Sequence, residues 1–180
     1  MKSVLISVNP KWCDKIASGE KTIEVRKSAP KEVPFKAYIY ETKGATETPW
    51  VDEDGHYIYK GKGQVIGEFV CNKVYLIKNQ GNSFVVANEE QGVTNEIARQ
   101  SCLDYDDMVS YLGNKDGYGW YISDLKIYDE PKALSCFYKQ CSKNTTCSTC
   151  DWLHVDWHTF GECSNTVTRP PQSYMFVEEA

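Results

Sequence analysis

Apolar and polar residues alternate over residues 1–8, which is the pattern of a half-buried strand. Asn9 and Pro10 follow and favour the start of a helix, because Asn caps helix N-termini and Pro fits the first turn. Apolar residues at helical spacing predict a helix over residues 11–18. Gly19 then suits the left-handed conformation that ends many helices. The chain is therefore expected to open with a strand and a short helix.

The chain to residue 138 is otherwise predicted to hold short strands and a few short helices. Strands are expected over residues 22–26, 36–42, 64–71, 73–77 and 119–128, with a hairpin near residues 54–55. Helices are expected over residues 104–112 and from residue 129 to residue 138. Many short strands with few helices indicate an α+β fold, a small β-barrel with short helices at its rim.

The composition of the 180 residues is that of an ordinary globular protein, with 41 % apolar and 25 % charged residues. It excludes intrinsic disorder, and the length suffices for one domain with a small appendage. Cysteines become frequent after residue 138, so we divide the chain into a domain at 1–138 and a Cys-rich extension at 139–180. No apolar run could span a membrane, and the N-terminal run is too short for a signal peptide. We therefore expect a cytoplasmic protein.

Charge is distributed unevenly along the chain. The net charge is −5, yet residues 1–43 carry nine basic and five acidic side chains and are therefore at +4. A basic segment on an acidic protein can attract a phosphate backbone, although such charge also serves solubility alone.

The clustered cysteines have the spacing of a metal site. Cys147 and Cys150 form a C-x2-C pair, which lets two thiolates face one ion. Cys141 lies six residues before this pair and Cys163 thirteen residues after it. Four thiolates can close a tetrahedral shell, so the extension is predicted to bind structural zinc.

Other roles for these cysteines stay open. His154 and His158 lie one helical turn apart and could replace a thiolate. The same ligand type serves an iron–sulfur cluster, whereas a disulfide framework needs an oxidising compartment and a redox pair needs a βα unit. Packing without a metal is the remaining alternative. Cys136 is not needed as a zinc ligand and is expected to pack within the predicted helix. The three scattered cysteines are expected to be buried free thiols: Cys13, Cys71 and Cys102.

Candidate chemistry is concentrated in Lys21, Glu24 and Arg26, at the junction between the first helix and the second strand. An amine, a carboxylate and a guanidinium held together can grip a base edge and a phosphate. Lys21 and Glu24 could also serve as an acid–base pair. Since alternate residues of a strand share a face, an exposed Glu–Arg pair without function is the structural alternative.

This segment resembles the ASCH domain, a branch of the PUA-like superfamily. The family pattern G-x-K-x-x-x-x-R matches Gly19, Lys21 and Arg26. Further segments resemble the family's first helix, central strand and late strand: residues 10–16, 63–69 and 118–122. The resemblance covers residues 1–138, and the extension is similar to one found on some bacterial members. It implies a small PUA-like β-barrel with a cleft beside the first helix.

The resemblance also implies a ligand, which is RNA or a nucleobase. Some ASCH proteins are amidohydrolases of N4-acetylcytidine that use a Lys, a Thr and a Glu, and others are reported as ribonucleases. Lys21 matches that Lys, but Glu24 occupies the position of the Thr. The distant Glu has three candidates in this chain: Glu89, Glu90 and Glu96.

An aromatic ring over the cleft could stack on a base. Trp120, in the late strand, is the leading candidate, beside Trp12 and Trp50. The predicted function is the binding of RNA or a modified nucleotide through four residues: Lys21, Glu24, Arg26 and Trp120. One alternative is hydrolysis of an N-acylated nucleoside with Lys21 and Glu24 as catalytic residues. Another is a protein-interaction module that uses the zinc-bearing extension.

Overall fold

The computed structural model describes residues 1–43, 61–89, 91–139 and 166–179. Within these ranges the chain forms ten strands, three α-helices and one 3₁₀ turn. The strands are β1 (Lys2–Val8), β2 (Ile23–Arg26), β3 (Phe35–Glu41), β4 (Val65–Cys71), β5 (Val74–Asn79), β6 (Phe84–Val86), β7 (Gly117–Tyr121), β8 (Ser123–Lys132), β9 (Phe137–Lys139) and β10 (Tyr174–Glu179). The helices are α1 (Pro10–Ala17), α2 (Gln91–Ser101) and α3 (Tyr105–Leu112), and the 3₁₀ turn covers Leu134–Cys136.

The described strands lie in two sheets. The larger sheet has the order β8-β4-β3-β1-β10-β9, and the smaller sheet has the order β2-β7-β5-β6. β1 runs parallel to β3 and antiparallel to β10. A parallel pair requires a crossover connection, and here that connection contains α1 and β2. The crossover places the start of β2 soon after a helix, at one edge of the smaller sheet.

The central strands β1 and β3 of the larger sheet are buried on both faces. On one face, alternate residues of β1 and β3 pack with Ile16 of α1 and Trp120 of β7. On the other face, Leu5 and Tyr38 pack with Phe137 of β9. The smaller sheet has its own cluster, in which β2 residues meet the helices α2 and α3. The start of β2 therefore lies directly after α1 and packs against α2 and α3, although β2 is an edge strand of the smaller sheet.

The opening elements predicted from the sequence are confirmed. Asn9 Oδ1 accepts a hydrogen bond from the Lys11 backbone N–H at 3.0 Å, and Pro10 occupies the first turn of α1. Gly19 has a φ of +77°, the left-handed conformation expected after the helix end. The predicted helix over residues 104–112 is α3, whose N-terminus is capped by the Asp104 side chain.

Two predictions for the later part of the chain are wrong. Residues 119–128 form parts of two strands, because β7 pairs in the smaller sheet and β8 pairs in the larger one. The helix expected from residue 129 to residue 138 is replaced by the end of β8, the 3₁₀ turn and β9. Strand pairing prevails there because β4 offers partners as far as Lys132, which lies opposite Val65.

The α+β fold class is confirmed, but the barrel is corrected. The strands of the described ranges form two sheets of six and four strands, and these ranges show no closed barrel. β10, which the sequence analysis assigned to the extension, lies between β1 and β9 in the larger sheet. The boundary expected between residues 138 and 139 falls within β9, which pairs directly with β10.

The predicted zinc site lies outside the described residues and stays a prediction. Its four cysteines are Cys141, Cys147, Cys150 and Cys163. The two alternative ligands, the expected hairpin and two further candidates also lie outside the described residues: His154, His158, residues 54–55, Trp50 and Glu90. In the described part of the chain, no group of three or more His, Cys, Asp or Glu residues could hold a metal ion. None of the helices described there is long and apolar enough to cross a bilayer.

The four described cysteines are free thiols. Cys13 and Cys71 are buried as expected, and burial raises the pKa of both, that of Cys71 to about 12. Cys102 is half-buried and not the buried thiol expected, since it lies directly after the end of α2. Cys136 also is half-buried and packs beside Phe137, in the 3₁₀ turn and not in the expected helix.

Candidate functional site

The local backbone brings the candidate residues to the start of β2. After α1 ends, the Gly19 N–H bonds to the Ile16 carbonyl at 3.0 Å and the Lys21 N–H bonds to the Lys15 carbonyl at 2.9 Å. These bonds fold the chain back against the helix end. β2 then pairs with β7, with Glu24 opposite Trp120. The position of Lys21 relative to Glu24 is thus set by a helix end and a strand, both rigid elements.

Lys21, Glu24 and Arg26 form one buried group, which we call the cleft cluster. Their residues are only 2 %, 6 % and 4 % exposed. Lys21 Nζ lies 3.5 Å from Glu24 Oε2, and Arg26 Nη1 lies 3.4 Å from Glu24 Oε1. The carboxylate therefore lies between two cations, and the cluster carries a formal charge of +1. The exposed Glu–Arg pair considered from the sequence does not describe this group.

Most donors of Arg26 are taken up by the protein itself. Nη1 donates to the Ser7 carbonyl at 2.8 Å, and Nη2 donates to the Ser173 carbonyl. The Ser173 hydroxyl also shares a hydrogen bond of 2.9 Å with that of Ser28. Arg26 therefore links β2 to β1 and to the segment just before β10, and its Nη1 also contacts the Glu24 carboxylate. Its Nε is buried without a partner.

The Lys21 ammonium is held on three sides. It donates to the Ser101 carbonyl at the end of α2 at 2.5 Å and faces Glu24. Its Nζ also lies 5.2 Å from the ring centroid of Trp12, within the range of a cation–π contact. An ammonium has three N–H donors, so the group can be directed to a ligand only in competition with these partners.

The cleft cluster opens into a cleft of about 340 Å³. Besides the cluster, the cleft is lined by residues of β1, α1 and α3: Ser7, Val8, Asn9, Trp12, Asp107, Ser110 and Tyr111, with Val25 and Leu103 completing it. Burial raises the pKa of the Tyr111 hydroxyl and outweighs the opposing effect of the Arg26 cation, while the Glu24 carboxylate makes a smaller contribution in the raising direction. The Tyr111 hydroxyl is therefore neutral at physiological pH and can donate or accept a hydrogen bond.

The structure separates the predicted site residues into two groups. Lys21, Glu24 and Arg26 come together as the cleft cluster. Trp120 is 0 % exposed and packs edge-on against Phe35 and Tyr174, with ring centroids at 4.9 and 5.7 Å. A ring enclosed in this way presents no face to the cleft, so a base in the cleft cannot stack on Trp120.

Trp12 is the tryptophan that lines the cleft, and it is half-buried. Two candidates for the distant carboxylate have other partners: Glu89 pairs with Lys73, and Glu96 pairs with Arg99. Neither is among the described residues that line the cleft.

Sequence reasoning missed the α3 side of the cleft. Tyr111 and Asp107 belong to a helix that was predicted, but nothing in its pattern shows that it packs beside β2. It also missed Ser173, because that segment was assigned to a separate module. The continuous apolar run over residues 174–177 was the available signal for a buried strand at this point.

Solved structures share the fold of this chain. The crystal structure of ASCH from Zymomonas mobilis matches with a TM-score of 0.55 at 17 % identity, covering 98 % of this chain and 88 % of that chain. Two variants of that protein, a Tyr-to-Phe and a Ser-to-Ala mutant, match with TM-scores of 0.55 and 0.54 at 16 % identity. They cover 99 % and 98 % of this chain, and 91 % and 89 % of their own chains are covered.

This chain has the ASCH fold. At such low identity the likeness concerns the fold alone. In sequence, no protein-family model matches the chain, and no curated protein matches it.

Proposed function

We propose that this protein is a nucleic-acid-binding module that takes a base of RNA, or a modified nucleotide, into the cleft beside α1. The observation that carries the proposal is the cleft cluster. Three charged side chains are buried at the floor of an open cleft of about 340 Å³. Burying charges is costly, and functional sites are places where ionisable groups are buried together in a cleft. The ASCH fold supports the same class of ligand.

The cluster suits a ligand that combines donors with acceptors. Glu24 has lone pairs to accept from a base amino group, since each of its oxygens faces a cation at a long 3.4–3.5 Å. Lys21 supplies a donor for a base carbonyl or a phosphate oxygen. Arg26 contributes its charge and keeps Glu24 in place, while its Nη donors are largely occupied by backbone carbonyls.

Aromatic side chains line two sides of the cleft. Trp12 comes from α1 and Tyr111 from α3. Stacking on such a ring stabilises a bound base by about 1–3 kcal/mol and tolerates any base, because every base has a π-face. We therefore assign to Trp12 the stacking role for which Trp120 was first considered, with the base competing for the ring against the ammonium groups of Lys11 and Lys21.

Binding of a fluorescent RNA oligonucleotide tests the proposal. We expect the affinity to fall steeply between about 50 and 200 mM salt, because phosphate contacts release counterions. Trp12→Ala should weaken binding by about 1–3 kcal/mol, the contribution of one stacked base. Tyr138→Ala, an aromatic truncation away from the lining residues, serves as the control. No binding at low salt, or an affinity that ignores both salt and Trp12, contradicts the proposal.

A second candidate function is hydrolysis of an N-acylated nucleoside in the same cleft. The observation that favours it is the Lys21–Glu24 pair, whose Nζ–Oε2 distance of 3.5 Å permits proton exchange after a small adjustment. Incubation of the protein with N-acylated nucleosides should then release the free nucleoside, and Lys21→Met should abolish the release. Intact substrate after prolonged incubation with protein that binds the same nucleoside would exclude this candidate.

We also propose a structural zinc ion held by Cys141, Cys147, Cys150 and Cys163, on the strength of their spacing alone. Such an extension could dock a partner protein. Elemental analysis of reduced protein should find about one zinc per chain, and Cys150→Ser should remove it, whereas Cys102→Ser should retain it. Metal-free protein with ordinary thermal stability would rule the site out.

A further inference from the structure

Two exposed lysines lie at the aromatic residues that line the cleft. Lys11 Nζ lies 4.5 Å from the ring centroid of Trp12, and Lys27 Nζ lies 5.1 Å from that of Tyr111. Lys11 is in the first turn of α1, and Lys27 directly follows β2. The Lys11 ammonium therefore lies beside the α1 side of the cleft and the Lys27 ammonium beside the α3 side, and both lysines are exposed to solvent.

Neither lysine is neutralised by a carboxylate within the described residues. Six of the other surface cations there do have acidic partners within 4.0 Å: Lys2, Lys15, Lys36, Lys73, Arg99 and Lys132. The positive charge of Lys11 and Lys27 is therefore available to an anion. Asp107 is the acid of α3 that lines the cleft. It lowers the local positive charge but forms no ion pair with either lysine.

The cleft is large enough for one nucleoside and too small for a length of polynucleotide. Ligand pockets that enclose a whole small molecule begin at about 300 Å³, and this one holds about 340 Å³. The floor carries a net charge of only +1, because Glu24 lies between Lys21 and Arg26. A bound nucleotide of a longer chain brings two phosphodiesters, one on either side. Cations for both must come from the rim.

We propose that the cleft receives one unpaired nucleotide of single-stranded RNA, and that Lys11 and Lys27 hold the phosphates that precede and follow it. This inference rests on the proposed nucleic-acid-binding function and defines its ligand as a chain, not as a free nucleoside. A base inside a duplex cannot enter a concave site without being unpaired. Single-stranded RNA meets that condition without the cost of unpairing.

The test compares a nucleoside, a single-stranded oligonucleotide and the same sequence in a duplex, each titrated at several salt concentrations. The variants are Lys11→Ala, Lys27→Ala and the double variant. Lys126→Ala is the matched control, since Lys126 is also exposed and lies 5.9 Å from the ring centroid of Tyr128, away from the cleft. All three substituted residues are on the surface, so the fold should tolerate all four variants, which circular dichroism checks.

We expect each rim variant to weaken single-strand binding by about two- to fivefold at low salt, the range for an exposed charge pair. Each should reduce the slope of log affinity against log salt by about 0.7, the value for one phosphate contact on a single strand. Nucleoside affinity should not change, and Lys126→Ala should resemble the unaltered protein. The oligonucleotide should bind more tightly than the nucleoside and the duplex.

The outcomes distinguish the two levels of the proposal. Absence of any RNA binding by the unaltered protein overturns both the proposed function and this inference. RNA binding whose salt slope is unchanged in the double variant, or a duplex bound as tightly as the single strand, overturns the rim assignment alone. Equal affinity for nucleoside and oligonucleotide also overturns it, and it leaves the cleft as a nucleoside site.

Discussion

Two groups of ionisable side chains in this molecule differ in what surrounds them. One is the cleft cluster of Lys21, Glu24 and Arg26. The other, which we call the sheet network, lies on the larger sheet and joins β3, β4, β8 and β10: Lys36, Tyr38, Glu68, Tyr128, Lys132 and Glu179. Both place carboxylates against lysines, but only the first opens into a described cleft.

The sheet network consists of short and fully matched contacts. Glu68 accepts from the Tyr128 hydroxyl at 2.6 Å and from Lys36 Nζ at 3.0 Å. Glu179 accepts from the Tyr38 hydroxyl at 2.9 Å and pairs with Lys132. Apart from the buried Tyr38, these side chains are partly exposed, so water can support whatever the protein leaves unpaired. Nothing in this arrangement calls for a ligand.

The cleft cluster is more deeply buried and less well matched. Its two ion-pair distances are 3.4 and 3.5 Å, longer than those of the Glu68 contacts. One carboxylate faces two cations, and the Nε of Arg26 has no partner. The two groups have similar composition, so composition alone does not single out a candidate site. The cleft cluster differs from the sheet network in its burial, its unequal charge and the cavity beside it.

The largest expected difference concerns the free energy of unfolding. Glu24→Gln leaves two buried cations without a counter-charge and should destabilise the protein by about 3–5 kcal/mol. Glu68→Gln, in the partly exposed network, should cost about 1 kcal/mol, the value of an ordinary hydrogen bond. Urea denaturation of both variants checks the order. If both cost the same, burial of the cleft cluster has less effect than the comparison implies.

The next difference concerns RNA binding. Lys21→Met should weaken binding by about 1–3 kcal/mol, the range for a charge-assisted hydrogen bond. Lys36→Met removes a lysine with a similar carboxylate partner from the sheet network and should leave binding unchanged. Calorimetric titration with one oligonucleotide compares them. Equal losses in the two variants would show that general positive charge, and not the cleft, carries the affinity.

The smallest effect is the dependence of stability on pH. Burial favours a raised pKa of Glu68, but the hydrogen bonds of Tyr128 and Lys36 outweigh it, and the pKa lies below its ordinary value of 4.5. Such a group adds stability above its unfolded-state pKa and loses this contribution as the pH falls through its folded-state pKa. The acid limb of the stability curve, below about pH 4.5, should therefore be shallower in Glu68→Gln.

The same network also makes stability depend on pH in the alkaline range, where stability falls as the pH rises. Burial and the bond to Glu68 raise the pKa of the Tyr128 hydroxyl above its ordinary value of 10.0. The neutral hydroxyl then contributes stability up to about pH 10, and this contribution is lost above it. Thermal denaturation of Tyr128→Phe should show a flatter alkaline limb. An unchanged limb would place the hydroxyl outside the network.

Local signals along the chain predicted the part of the site that depends on neighbours in sequence. Asn9, Pro10 and Gly19 define the ends of α1 through capping and backbone conformation, which are short-range effects. Lys21, Glu24 and Arg26 could be singled out because an amine, a carboxylate and a guanidinium occur within six residues. The ASCH resemblance was drawn from this same segment, and the fold comparison agrees with it.

Elements that depend on distant partners were missed or assigned wrongly. The sequence pattern did not reveal α2, β6 or β10. The pattern after Asp129 suggested a helix, but β4 provides a strand edge that prolongs β8. Trp120 seemed suited to a cleft, yet its neighbours across the fold, Phe35 and Tyr174, enclose it.

The sequence by itself determined the helix caps, the first three strands and the set of charged residues that form the cleft cluster. Only the tertiary structure decided that this cluster is buried, that α3 and Trp12 line the cleft, and that Ser173 supports Arg26 from 147 residues away. The physical reason is range. Capping and alternation act between residues a few positions apart, whereas burial and cavity shape depend on which surfaces meet when the two sheets and three helices pack.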